Sequence, residues 1–154
     1  MSPSTIFPSI RPARIEDFPR VERLLVDSQL PTDGVESVLP TFVVAELESD
    51  LVGVAGLEVC CENALLRSVA VSPAWRSRGL GRALVTRVIA DAEARGINAL
   101  YLLTTTAERY FPSFGFTPVA RDTVPEDIRQ TSEFREACPA SAVVMARTLH
   151  AATP

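Results

Sequence analysis

Apolar residues recur along this chain in two rhythms. After Phe18 they fall at Val21, Leu24 and Leu25, the spacing of one helix face, with Glu16 and Asp17 just ahead, where acids suit a helix N-terminus. A short strand, Ile10-Arg11-Pro12-Ala13, is expected before this helix, and Pro31-Thr32-Asp33-Gly34 interrupts the chain after it. Val35 to Leu39 predicts a brief second helix. The rhythm then changes. Phe42 to Leu47, Leu51 to Val59 and Leu65 to Val71 are strand-like runs, separated only by turns at Ser49-Asp50 and Cys61-Glu62-Asn63, so they predict an antiparallel meander.

Helical spacing returns with Leu80, Leu84, Val85, Val88 and Ile89, which predict a helix over Gly81 to Arg95 with Arg95-Gly96 as its stop. Ala99 to Thr104 then predicts a strand, Ala107 to Ser113 a short helix, and Gly115 to Val119 a strand entry. Pro125 to Thr131 has weak helical character, and Ala142 to Thr148 closes the chain as a strand. This order predicts an α/β (α+β) fold: a mixed, mostly antiparallel central sheet flanked by helices. The 154 residues fit one domain over positions 1–154, with a disordered start at 1–8.

Between the third meander run and the long helix lies Arg76-Ser77-Arg78-Gly79-Leu80-Gly81. Glycines at a strand-to-helix junction let the backbone approach an anion, the unpaired N–H groups of the first turn point at it, and arginine adds charge where the helix dipole is already positive. A pyrophosphate-bearing ligand is the reading this supports. The P-loop pattern is absent, and so is the dinucleotide Gly-x-Gly-x-x-Gly with an acid about twenty positions on.

Composition narrows the partners. A net charge of −4 argues against a general nucleic-acid or anionic-membrane binder, which leaves the arginine loop as a local exception. No apolar stretch approaches the roughly eighteen residues of a membrane span, and the N-terminus lacks the charged and apolar regions of a leader, so a soluble cytoplasmic protein is expected. Three cysteines, Cys60, Cys61 and Cys138, make no even disulfide framework, and with the single His150 they match no zinc spacing, so no metal is expected. Cys60 and Cys61 with Cys138 have the thiolate chemistry to capture trivalent arsenic, although small buried residues near a strand end explain the pair as well.

The run from Leu66 to Arg82, with Val69-Ala70-Val71 ending the strand and Arg76-Ser77-Arg78-Gly79-Leu80-Gly81 following, resembles the signature of the GNAT superfamily of acetyl-CoA-dependent N-acetyltransferases. Phe114-Gly115-Phe116 resembles that family's late helix-to-strand junction. The resemblance implies a GNAT-like sheet and acetyl-CoA as cosubstrate. The backbone of Val69, Ala70 and Val71 would bond the thioester and pantetheine arm, and Arg76, Ser77, Arg78, Gly79, Leu80, Gly81 and Arg82 would hold the pyrophosphate. The stretch Tyr101 to Phe111 is similar to small N-acetyltransferases associated with arsenic resistance and to the acetyltransferase domain of N-acetylglutamate synthase. Those relatives imply a small amino acid, or a glutamate-like arsenical analogue, as acceptor; a homodimer is compatible with the resemblance.

Two positions depart from the family pattern. Phe111 stands where many relatives carry a tyrosine acid; Tyr110 is adjacent, but one residue on a helix turns a side chain by about 100°. Leu65 stands where some relatives carry a glutamate base. The N–H of Val69 is then the candidate to polarise the thioester carbonyl, and Glu58, ahead of Glu62, is the candidate base. Strand alternation is expected to put Leu65, Arg67, Val69 and Val71 on one face, where Arg67 could grip an acceptor carboxylate or form a salt bridge. Thr104, Thr105 and Thr106 could offer hydroxyls to acceptor or cofactor, and Trp75 could brace the loop. Arg11, Arg14 and Arg135 are candidates for a cationic acceptor pocket. Two other functions compete: acetylation of a protein N-terminus or lysine, and non-catalytic acyl-CoA sensing.

Overall fold

The computed structural model describes residues 7–105, 107, 109–137 and 142–149. Thr106, Cys138 and His150 therefore lie outside the described residues, as do residues 1–6 of the start expected to be disordered. The strands are β1 (Ser9–Pro12), β2 (Val43–Leu47), β3 (Asp50–Cys60), β4 (Asn63–Val71), β5 (Ala99–Thr104), β6 (Thr117–Pro118) and β7 (Val143–Thr148). They form one sheet in the order β1-β2-β3-β4-β5-β7-β6. Only β4 and β5 run parallel among these neighbours; the other pairs are antiparallel. The expected meander is β2-β3-β4. Its first turn is Glu48-Ser49, both with positive φ, one residue earlier than the expected Ser49-Asp50.

The helices are α1 (Phe18–Asp27), α2 (Val35–Val38), α3 (Leu80–Ala94) and α4 (Glu126–Arg129). Helix α1 buries Val21, Leu24 and Leu25 on one side of the sheet, against Phe42, Val44 and Val54. Helix α3 buries Leu80, Leu84, Val85, Val88, Ile89 and Ala92 on the other side, against Leu66, Leu100 and Met145. Each of the buried Leu, Val and Ile side chains contributes about 1.5–3 kcal/mol, so this face anchors the crossover from β4 to β5. The predicted stop of α3 is present: Gly96 takes a φ of 75°, its N–H donates to Glu93 and that of Ile97 to Ala92. Leu65 belongs with Ile128 and Val144 to a third cluster beneath α4.

Two local expectations need correction. The stretch Ala107 to Ser113 does not form an α-helix; a 3-10 turn occupies Phe111–Phe114 instead. Pro112 lacks the N–H a continuing helix needs, and Gly115 at φ 91° ends the turn at once. The strand entry Gly115 to Val119 contracts to Thr117–Pro118 at the sheet edge, where a proline without an N–H is tolerated.

A bulge in β4 overturns the expected alternation. Val54 pairs with Ala70 and Gly56 with Arg67, so two residues of β4, Ser68 and Val69, stand opposite one of β3. Ser68 takes a φ of 60°. The extra residue reverses which side chains face which layer. Leu65 packs beneath α4, while Val69 and Val71 pack on the α3 side with Leu66. Leu65 and Arg67 therefore do not share a face with Val69 and Val71.

Candidate functional site

The arginine-glycine loop sits where the motif predicts, between β4 and α3. Ser77 and Gly79 both take left-handed backbone angles, φ 64° and 87°, which turn the chain sharply into α3. The N–H groups of Ser77 to Arg82 meet no acceptor within the described chain, and the first intrahelical bond is Ala83 to Gly79. The start of this fifteen-residue helix thus leaves backbone donors without a protein partner among the described residues at its positive end. The arginines frame this cradle. Arg76 donates to the Val71 carbonyl at 3.0 Å, Arg78 lies over the Trp75 ring, and Arg82 donates to Ser113 while stacking on Phe114. Trp75 accordingly braces the loop. Leu80 is wholly buried in the core.

Next to the cradle the sheet opens. Pairing of β4 with β5 ends at Leu65 and Tyr101, whereas β5 continues along β7 to Thr104. The two strands part from there, and a cavity of about 680 Å³ occupies the gap. Gly81, Val69 and Tyr110 line its α3 side; Asp33, Arg67 and Glu133 line the other. A single cavity therefore connects Gly81, at the end of the arginine-glycine loop, with a charged cluster across the sheet. The bulge makes this connection, since it points Val69 toward α3 and leaves Arg67 on the opposite side.

Arg67 is buried, with a fully enclosed guanidinium. Its Nε donates to Ser68 Oγ at 3.1 Å, Nη1 to Glu58 Oε1 at 3.0 Å and Nη2 to the Asp33 carbonyl at 2.8 Å. A guanidinium has five N–H groups, so two have no protein partner among the described residues. Glu58 pairs with Arg67 but does not belong to the cavity wall. Glu133 does, with a side chain only 5% exposed, and its Oε1 lies 3.7 Å from Arg67 Nε. Burial pushes the Glu133 carboxyl up to about 7; Arg67 opposes this, and Glu58 and Asp33 reinforce it. The sequence reading missed Glu133, because its partner Arg67 is on a distant strand and its neighbours form an irregular π-helical turn, Glu133–Ala137. A lone acid beside the apolar Phe134 was the one available signal.

Tyr110 is nearer to the site than its position one residue before Phe111 implies. Both line the cavity, and a Cβ placed on Gly81 would lie 3.5 Å from the Tyr110 hydroxyl. The turn that replaces the expected helix brings the ring over the start of α3, and burial pushes its phenol up against the opposing pull of Arg82. Thr104 and Thr105 also line the cavity, and the Thr104 hydroxyl accepts the Ala107 N–H.

Other candidates are placed elsewhere. Arg11 is engaged by Asp17 and Glu46 at the β1 edge, and Arg14 and Arg135 are exposed; none of the three lines the cavity. The expected ring of arginines is replaced by one arginine among carboxylates. Ala70 turns away, into the cluster beneath α1. Cys60 and Cys61 lie at the β3–β4 turn, and burial next to Glu58 pushes the Cys60 thiol up to about 11. Among the described residues no group of His, Cys, Asp or Glu is placed to hold a metal ion, and no helix is long and apolar enough to cross a membrane.

Residues 39–118 match the family model described as "Acetyltransferase (GNAT) domain". The amino-acid acetyltransferase of Escherichia coli (strain K12) is 31% identical over 105 residues, covering 67% of this chain and 24% of its own length. The chain thus spans about a quarter of the length of the curated relatives it matches. N-acetylglutamate synthase from Neisseria gonorrhoeae, solved with coenzyme A and N-acetyl-glutamate, superposes with a TM-score of 0.80 at 26% identity, over 94% of this chain and 36% of that one. The Mycobacterium tuberculosis protein Rv2747, solved with CoA and NLQ, shares the fold at a TM-score of 0.76 and 24% identity, over 93% of this chain and 100% of that one.

Proposed function

The chain belongs to the GNAT acetyltransferase family, and from that premise we propose that it transfers the acetyl group of acetyl-CoA to the amine of a small amino acid or a glutamate-like analogue. The observation that carries this reading is the single cavity running from Gly81 at the start of α3, past Val69, to Arg67 and Glu133. In this reading the cradle holds the pyrophosphate, with Arg76, Arg78 and Arg82 supplying charge around it. The pantetheine arm runs along Val69 and Val71 into the gap between β4 and β5, and the Val69 N–H polarises the thioester carbonyl.

The acceptor enters from the opposite face. Arg67 and Glu133 stand side by side there, a cation and a carboxylate matching the carboxylate and ammonium of an α-amino acid. Arg67, in the cavity wall, supplies the positive charge that attracts the acceptor carboxylate, and Thr104 borders the reacting centre. Tyr110, beside the cradle, supplies a proton to the departing thiolate. The similarity to an amino-acid acetyltransferase and to a synthase bound to N-acetyl-glutamate supports this acceptor class. An exposed, unpaired Cys61 suits the reducing cytoplasm.

Calorimetry with acetyl-CoA, followed by a thiol-release screen over amino acids, an arsenical glutamate analogue and amino-terminal peptides, tests the reading. Binding of acetyl-CoA and thiol release selective for carboxylated amino acids are expected. Preference for peptides would overturn the acceptor class. Binding without turnover on any amine would make the chain a sensor, and absence of binding would remove the donor.

A further inference from the structure

From the charged cluster on the acceptor side we infer that Glu133 is the base of the transfer: its carboxylate receives the acceptor's ammonium and takes the proton that frees the nitrogen lone pair. This rests on the acyl-transfer reading above. The geometry singles out Glu133 among the nearby carboxylates. Glu58 Oε1 is bonded to Arg67 at 3.0 Å behind the cavity wall, whereas Glu133 lines the cavity. Its nearest cation contact, 3.7 Å from Arg67 Nε, is too long for a hydrogen bond, and that N–H already donates to Ser68. The carboxylate is thus almost wholly buried, makes no hydrogen bond among the described residues, and shares one arginine with Glu58. The cluster lacks one cation and one donor. A bound ammonium supplies both.

The environment also suits the chemistry. An ordinary glutamate ionises near 4.3 and is too weak to deprotonate an alkylammonium efficiently. Burial brings Glu133 up to about 7, and the charges that reach it are Arg67 from β4, Glu58 from β3 and Asp33 from the loop before α2. Glu58 acts here as a positioning residue, since it holds the Arg67 guanidinium from behind.

The steps balance without a further reactant. The ammonium gives one proton to the Glu133 carboxylate and becomes a neutral amine. Its lone pair forms the C–N bond while the carbonyl pair moves onto oxygen. Collapse breaks the C–S bond, the thiolate leaves with that electron pair and takes a proton from the Tyr110 phenol, the phenolate takes the remaining surplus proton from nitrogen, and Glu133 returns its own proton to solvent.

Two readouts on the intact chain test this. Carboxyl carbon-13 NMR of wild type and Glu133→Gln, without donor or acceptor, follows the titration directly. A carboxyl titrating near pH 7 and missing from the variant is expected; a Glu133 fully ionised at pH 5 overturns the inference whatever the acceptor. The second readout is kcat/KM against pH, with acetyl-CoA and the best amine from the screen. Glu133→Gln is expected to lower kcat/KM about 10²- to 10³-fold and to abolish an acidic limb near pH 7, with acetyl-CoA affinity unchanged by calorimetry. A variant that folds, turns over within threefold of wild type and keeps the limb overturns the base assignment alone. A wild-type chain that acetylates no amine overturns the acyl-transfer reading, and the inference with it.

Discussion

Glu133 and Asp17 are both buried carboxylates with arginine neighbours, yet they respond to burial in opposite senses. Asp17 accepts hydrogen bonds from Arg11, the Arg14 N–H and Arg20, and these outweigh desolvation, so its carboxyl stays well below the usual range. Glu133 has no hydrogen bond among the described residues, desolvation dominates, and its carboxyl rises to about 7. The consequence for stability follows from proton linkage. As pH rises from about 4.3, where an unfolded glutamate ionises, toward 7, the native chain retains a proton that the unfolded chain has lost, so native stability falls through that window. Glu133→Gln removes the cost of holding a buried charge. Its stability relative to wild type is expected to rise by about 1–3 kcal/mol between pH 4.5 and pH 8, measured by urea unfolding at both values. An unchanged difference across this range would mean that the Glu133 carboxyl titrates in the native chain as it does in the unfolded one.

At the scale of elements, the cradle assigns its two glycines different tasks. A Cβ on Gly79 would meet nothing within 4 Å, but the φ of 87° strains any other residue there. Gly81, by contrast, lines the cavity, where a side chain would stand between Tyr110 and Val71 in the path of the ligand. Gly81→Val is therefore expected to weaken coenzyme A binding about 10- to 100-fold, the loss of one or two backbone donors, while the melting temperature stays within a few degrees. Gly79→Ala should show the reverse signature, a loss of about 1–2 kcal/mol of stability with affinity largely retained. Calorimetry and thermal melts on both variants separate the two. This distinction was not legible in the motif, where both glycines read as phosphate-approach positions; it depends on backbone angle and on what lies across the cavity. The elements themselves were legible where burial imposes a period, as for Val21-Leu24-Leu25 and Leu84-Val88. They were misjudged where a single proline or glycine decides, as at Pro112 and Gly115.

At the scale of the whole molecule, the site is the gap left where β4 and β5 part, with a donor cradle on the α3 side and the Arg67–Glu133 cluster on the other. A ligand that bridges such a gap stabilises the native state by mass action. Coenzyme A at a hundredfold excess over its Kd is expected to add about 2.7 kcal/mol and raise the melting temperature by about 5–10 °C; no shift at that excess would argue against binding to the folded chain. Periodicity already indicated the meander and the crossover helix, and the glycine-arginine motif the loop that joins them, since each depends on residues near one another in the chain. Which face each β4 side chain takes, and the pairing of Arg67 with Glu133, required the tertiary fold. One extra residue at Ser68 reverses the alternation downstream, and the two charges meet only because the segment after α4 packs across β4, a contact between residues far apart in sequence that no local pattern encodes.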